Sequence, residues 1–129
     1  MRVWMKRLVV LLGILVATGC TTVHPPGVTG TGTYSYVSGN LAWIYPADME
    51  RTWDATLRAL EGLDLRIQEK NLDGLGGRIV ARRADETKIR IRLKPETTRT
   101  TTVLVKIGTF GSQEQSENVH REIRAQLKL

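Results

Sequence analysis

Residues 87–93 read TKIRIRL, and the stretch alternates: Ile89, Ile91 and Leu93 on one side, Lys88, Arg90, Arg92 and the following Lys94 on the other. Successive side chains of an extended strand point to opposite faces, so a period of two describes a strand with one buried and one wet face. Strands of that kind belong to antiparallel sheets, since parallel sheets are covered on both sides. Asp85-Glu86 and Pro95 to Thr98 read as the turns that bracket it. Beyond the second turn, Thr101, Val103, Val105 and Ile107 alternate in the same way. Upstream, Arg78 to Arg83 is a short strand, and Leu63, Leu65 and Ile67 alternate with Asp64, Arg66 and Gln68. NLDGLGG (71–77) carries three glycines and reads as the hairpin loop between these two. Four strands joined by short turns predict an antiparallel meander.

Helical spacing flanks the meander on both sides. Met49, Trp53, Leu57 and Leu60 recur as one apolar stripe with Thr56 beside them, while Arg51, Asp54, Arg58 and Glu61 fall opposite. Asp48 is placed to cap this helix, Gly62 to end it, and Asp54 with Arg58 to pair one turn apart. After the last strand, GTFGS (108–112) leads to a second helix with Ser112 as its cap, Gln115 at the capping-box position, and Val119, Ile123 and Leu127 on its inner side. Ahead of the first helix, YSYVSGNLAWIY (34–45) reads as one strand with a bulge or bend at Gly39-Asn40, and Pro46 stops it. The expected fold is α+β: strand, helix, four-strand meander, helix, with both helices on one face of an antiparallel sheet.

Residues 1–20 read MRVWMKRLVVLLGILVATGC. Arg2, Lys6 and Arg7 precede an apolar run, Leu8 to Val16, that is shorter than the roughly 20 residues a bilayer span needs. The run has the length of a signal-peptide core. Small residues Ala17, Thr18 and Gly19 follow, then Cys20, the chain's one cysteine. This arrangement resembles the bacterial lipobox, with Ala17 where that pattern carries leucine or another larger aliphatic. The resemblance implies that residues 1–19 are removed, that the Cys20 thiol carries a diacylglycerol, and that the new amine carries an acyl chain. Each buried CH₂ adds about 0.8 kcal/mol, so three chains would hold the protein to a membrane permanently. By the same resemblance, Thr21 in place of aspartate directs the protein to the outer membrane, facing the periplasm. The blander alternatives are a retained membrane helix with a buried cysteine, or ordinary secretion with a free thiol.

The segment TTVHPPGVTGTGT (21–33), with two prolines and three glycines, excludes helix and reads as a tether. At about 3.3 Å per residue it spans roughly 40 Å when extended. The expected organisation is therefore a signal peptide (1–19), a lipidated cysteine with a Pro/Gly tether (20–33) and one α+β domain (34–129).

Charge bears on partners. The 129 residues carry 19 Lys and Arg against 13 Asp and Glu, net +6. Three of the basic residues and none of the acidic ones lie in 1–19, so the mature chain is expected to carry +3. That mild excess, with a periplasmic address, argues against nucleic-acid binding. One cysteine excludes an intrachain disulfide framework and a Cys-based zinc cluster.

The mature region resembles a family of small bacterial lipoproteins catalogued as a domain of unknown function. The resemblance runs from about Tyr34 to Leu127. It rests on Tyr36-Val37-Ser38-Gly39, Tyr45-Pro46-Ala47, Trp53 with Ala55-Thr56-Leu57 and Leu60-Glu61, Gly76-Gly77-Arg78-Ile79, and Gly108-Thr109-Phe110-Gly111. It implies a lipid-anchored α+β domain facing the periplasm and brings no catalytic residue.

Candidate chemistry is sparse. Lys88, Arg90, Arg92 and Lys94 share a strand face, Arg78 and Arg82 share one on the preceding strand, and Lys106 with Thr102 extends it. If these faces coincide, the wet side of the sheet is a cationic plate for anionic lipid, lipopolysaccharide, peptidoglycan or an acidic protein. The bland alternative is a solvated face whose long stems discourage edge pairing. In GTFGS, Phe110 is expected to anchor in the core. His120 is expected at the surface or the boundary of the last helix, and His24 in the tether. No nucleophile motif, metal-ligand cluster or carboxylate pair supports catalysis, so no catalytic, cofactor or metal residue is assigned. Two functions are expected: an accessory or scaffold lipoprotein that binds an envelope protein, or a module that binds an anionic envelope polymer or lipid through the basic face.

Overall fold

The computed structural model describes residues 33–129. Cys20, the signal segment and the tether up to Gly32 lie outside the described residues. Along the chain come β1 (Tyr34–Val37), β2 (Asn40–Tyr45), α1 (Met49–Gly62), β3 (Arg66–Asp73), β4 (Gly76–Arg82), β5 (Lys88–Thr97), β6 (Thr100–Ile107) and α2 (Gln113–Leu127). The fold is α+β. All six strands join one antiparallel sheet in the order β1-β2-β6-β5-β4-β3, so the β3–β6 meander is as the alternation predicts.

The first strand is in fact a hairpin. Ser38 and Gly39 both take positive φ, 52° and 79°, which is the two-residue turn whose twist matches antiparallel strands. It folds β1 back on β2, with Tyr36 opposite Leu41. The β3–β4 loop is shorter than expected. Asp73 caps it by accepting from the N–H groups of Leu75 and Gly76 at 2.8 and 3.1 Å, so the strands reach Asp73 and Gly76. Strand β5 runs through Pro95 to Thr97, absorbing the proline with a register shift against β6.

Asp48 caps α1 as its carboxylate suggests, accepting from Arg51 N–H at 2.9 Å. Gly62 does not supply the left-handed stop; it is the last helical residue, and Asp64 takes the positive φ instead, at 55°. Asp54 and Arg58 are not among the ion pairs of the described residues. Ser112 caps α2 at 3.4 Å from Gln115 N–H, but the Gln115 side chain accepts from Arg83 at 3.0 Å and leaves the capping box unreciprocated.

The core lies between the sheet and the two helices. Leu41, Trp43 and Tyr45 of β2, Ile79 and Ala81 of β4, Ile89, Ile91 and Leu93 of β5, and Val103, Val105 and Ile107 of β6 face Trp53, Ala55, Ala59 and Leu60 of α1 and Val119, Ile123 and Leu127 of α2. These side chains all come from the stretch between Leu41 and Leu127. The buried hydroxyls of Thr52 and Thr56 bond back to carbonyls one turn earlier, at 2.8 and 2.7 Å, which removes the cost of burying them. Met49 and Leu57, expected within the stripe, are half-buried at its margin.

Gly77 shows how tightly α1 sits on the sheet. A Cβ there would stand 2.6 Å from the Trp53 ring, so the absent side chain is the space the indole occupies. Gly77→Ala is expected to cost about 1–3 kcal/mol by overpacking. Gly74→Ala, which meets nothing within 4 Å, should change little. Urea unfolding of the two variants side by side reads the difference.

Candidate functional site

The face of the sheet away from the helices collects the basic residues that the alternation singled out. Because β5 lies between β4 and β6, its outward side chains meet those of both neighbours. Register places Arg92 opposite Arg78, Lys88 opposite Arg82 and Arg90 opposite Lys106. Those are three cross-strand pairs of like charge on one face. Directly opposed like charges destabilise a sheet, and opposite charges contribute roughly 0.2–1 kcal/mol per pair, so the arrangement works against stability. Lys94 stands opposite Thr102, whose hydroxyl donates to Glu96 at 2.8 Å.

The candidates are not equivalent. Arg82 is spoken for: it donates to Gln68 at 2.9 Å and to the Glu86 carbonyl at 2.8 Å, and lies 3.7 Å from the Glu86 carboxylate, which also pairs with Arg66. Arg82 therefore braces the 83–87 loop. Arg78, Lys88, Arg90, Arg92 and Lys94 have no ion-pair partner among the described residues. Residues 1–32 contain no aspartate or glutamate that could supply one. Arg78, Lys88, Arg90, Arg92 and Lys106 line a shallow concavity of about 480 Å3, with Glu69 at one side and Asn40 at the other. The single carboxylate at its edge leaves a strong positive excess. The Lys106 ammonium reaches only the Ser38 carbonyl, at 3.4 Å.

Other candidates resolve differently from the expectations. His120 is not at the boundary but fully buried. Its Nε2 lies 2.9 Å from the Leu41 carbonyl and its Nδ1 2.7 Å from the Tyr45 hydroxyl. A carbonyl can only accept, so Nε2 carries the proton and Nδ1 accepts from Tyr45. Burial pushes the imidazole pKa down to about 4 and the Tyr45 phenol well above its ordinary range, so both are neutral. The pair is a polar link between α2 and β2 in which both ring nitrogens have a partner. Among the described residues no group of His, Cys, Asp or Glu is placed to hold a metal. A second concavity, about 620 Å3 at the α1 N-terminus, holds Asp48, Glu50, Asp73 and Glu96 without a histidine or cysteine.

Phe110, expected as a core anchor, is 90% exposed. The glycines around it serve the backbone instead. A Cβ on Gly39 would overlap the Phe110 carbonyl, and one on Gly111 would overlap Gly39. The β1–β2 turn and the β6–α2 loop thus touch backbone to backbone. Sequence reading missed this contact, and the signal for it was the pair of glycines, one in each segment.

The segments singled out by resemblance therefore meet in pairs: Ser38-Gly39 on Phe110-Gly111, and Gly77 beneath Trp53. Over residues 4–126 the chain matches the family described as Protein of unknown function (DUF3568). The chain belongs to this family. The DUF3568 match begins ahead of Cys20 and ends in α2, so it takes in the N-terminal segment as well as the domain. No curated protein matches the chain. Among the described residues, no helix of this DUF3568 member is long and apolar enough to cross a membrane.

Proposed function

We propose that this protein is a lipid-anchored, periplasm-facing domain without catalytic activity, and that its cationic sheet face holds an anionic component of the cell envelope. The observation that carries the reading is the uncompensated face: two like-charge cross-strand pairs, Arg78 with Arg92 and Arg90 with Lys106, and six cations, these four with Lys88 and Lys94, without an ion-pair partner among the described residues. A face that gives up stability in this way gains it back when an anion lies across it. The anchor rests on the lipobox resemblance at Cys20, and Thr21 favours the outer membrane. A family match that extends ahead of Cys20 supports treating anchor and domain as one unit. The competing function, a scaffold that docks an envelope protein, draws on the open outer edges of β1 and β3 at the two ends of the sheet.

Charge reversal and salt separate the two. In cells producing the full chain, Cys20→Ala should abolish incorporation of labelled fatty acid into the protein. With the anchor intact, Arg90→Glu with Arg92→Glu should weaken capture of the anionic component by about tenfold or more, as should a rise from about 50 to about 300 mM salt. The same double variant should unfold no more easily than the parent, because it turns two repulsive pairs into attractive ones. Capture that survives both reversal and salt would sink the cationic-face reading and return the contact to a strand edge.

A further inference from the structure

The cationic face accounts for neither of the large apolar side chains at its rim. Phe110 is 90% exposed and Val37 66% exposed. Their position is fixed by contacts. Phe110 rests through its carbonyl on Gly39, and Ser38 of the same turn accepts from Lys106. Val37 stands opposite Asn40, which lines the cationic concavity together with Lys106 and Arg90. The Phe110 exposure is therefore held by a backbone contact and does not come from a frayed end. Inward from this rim, β2 and β6 add Ile44, 39% exposed, and half-buried Ala42 and Leu104 to the same face. Leu104 in turn stands opposite Arg92. Across the sheet the face grades from apolar on β1 and β2 to cationic on β5 and β4.

A surface that is apolar at one rim and cationic beside it matches the section through a bilayer interface, with acyl chains under a layer of phosphates. We infer that this rim is a membrane-contact surface for anionic phospholipid: Phe110 and Val37 enter the headgroup–acyl boundary while Lys106, Lys88, Arg90 and Arg92 lie on the phosphates. This rests on the cationic-face reading and names its ligand. Charge complementarity selects the lipid surface. The proposed anchor makes a weak contact sufficient, because a tether of roughly 40 Å confines the domain close to the bilayer.

The test uses residues 33–129, which lie within one compact unit of the chain, without the anchor. Trp43 and Trp53 are buried, so Phe110→Trp adds one exposed indole as a reporter. With vesicles of phosphatidylcholine and phosphatidylglycerol, its emission should shift to the blue and be quenched by brominated acyl chains. With phosphatidylcholine alone it should do neither. Phe110→Ser with Val37→Ser should weaken binding to the anionic vesicles roughly tenfold or more at an unchanged unfolding midpoint. Binding to anionic vesicles with no blue shift and no loss in the double serine variant overturns the insertion and leaves the cationic face standing. A domain that ignores the vesicles yet captures envelope fragments through Arg90 and Arg92 overturns the lipid assignment in favour of a polymer or protein. Indifference of all binding to Arg90→Glu with Arg92→Glu overturns the face itself.

Discussion

Gly39→Ala is expected to cost the domain about 3–5 kcal/mol, and Gly39→Val to prevent folding. Two effects add. Gly39 holds φ at 79°, a left-handed conformation that costs an L-residue about 1–2 kcal/mol. The new Cβ would also overlap the Phe110 carbonyl, which is backbone and has no rotamer to yield. Relief would need the 108–112 loop to lift. That loop carries Ser112, the cap of α2, so lifting it disturbs the helix that supplies Val119, His120 and Ile123 to the core. Gly111→Ala should be comparably severe, with its own φ at 87° and Gly39 in its path. Gly108→Ala isolates the first effect: φ is 75°, but a Cβ there meets nothing within 4 Å, so about 1–2 kcal/mol is expected. Urea midpoints of the three variants check this. A loss for Gly39→Ala no larger than for Gly108→Ala would mean that the two segments separate freely.

The same contact marks where sequence reading stops. TKIRIRL discloses its two faces because the strand period is local, and the basic residues duly share one side. That Arg92 stands opposite Arg78, and Arg90 opposite Lys106, depends on register between strands and is written in no single segment. The β1–β2 hairpin was hidden because Ser38 is not a residue that favours positive φ; pairing of β2 with the distant β6 holds the turn in place. Phe110 reads as a core residue because it is aromatic and follows a buried strand. The glycines beside it are explained by a backbone contact with a turn far away in sequence, which leaves its ring outside. Asp64 takes the left-handed position that glycine would normally mark, since Gly62 falls two residues early. His120 lies beside the apolar stripe of Val119, Ile123 and Leu127 and reads as a surface or boundary residue; the buried Ser116 one turn earlier shows that the inward face is wider than its apolar residues. Its partner Tyr45, on another element, was not legible.

That buried histidine sets the acid limit of the fold. Acidification from about pH 7 to about pH 5 is expected to remove about 2 kcal/mol of stability through His120 alone. Its pKa in the folded state is pushed down to about 4 from 6.5, first by burial and then by the Arg124 charge, while its bond to the Leu41 carbonyl opposes the shift. The Arg124 guanidinium lies 4.3 Å over the Trp43 ring, and that ring lies 5.9 Å from the imidazole. Between the two pKa values the unfolded chain holds a proton that the folded chain does not. Stability is therefore fully present above about pH 6.5, falls by about 1.4 kcal/mol per unit below it, and has lost about 3 kcal/mol by about pH 4. Tyr45 stays neutral throughout and can turn its O–H to the His120 carbonyl, 3.2 Å away, when the ring protonates; this softens the change without reversing it. The two values that set this slope, 6.5 unfolded and about 4 folded, cover the interval from about pH 6.5 to about pH 5. Urea unfolding at about pH 7.5, 6 and 5 should show this slope in the parent domain. In His120→Gln it should vanish from that interval, although the variant is less stable at every pH. A parent stability that stays flat between about pH 7 and pH 5 would mean that the folded imidazole takes up its proton as readily as the unfolded one. The link between α2 and β2 would then be ionised rather than neutral.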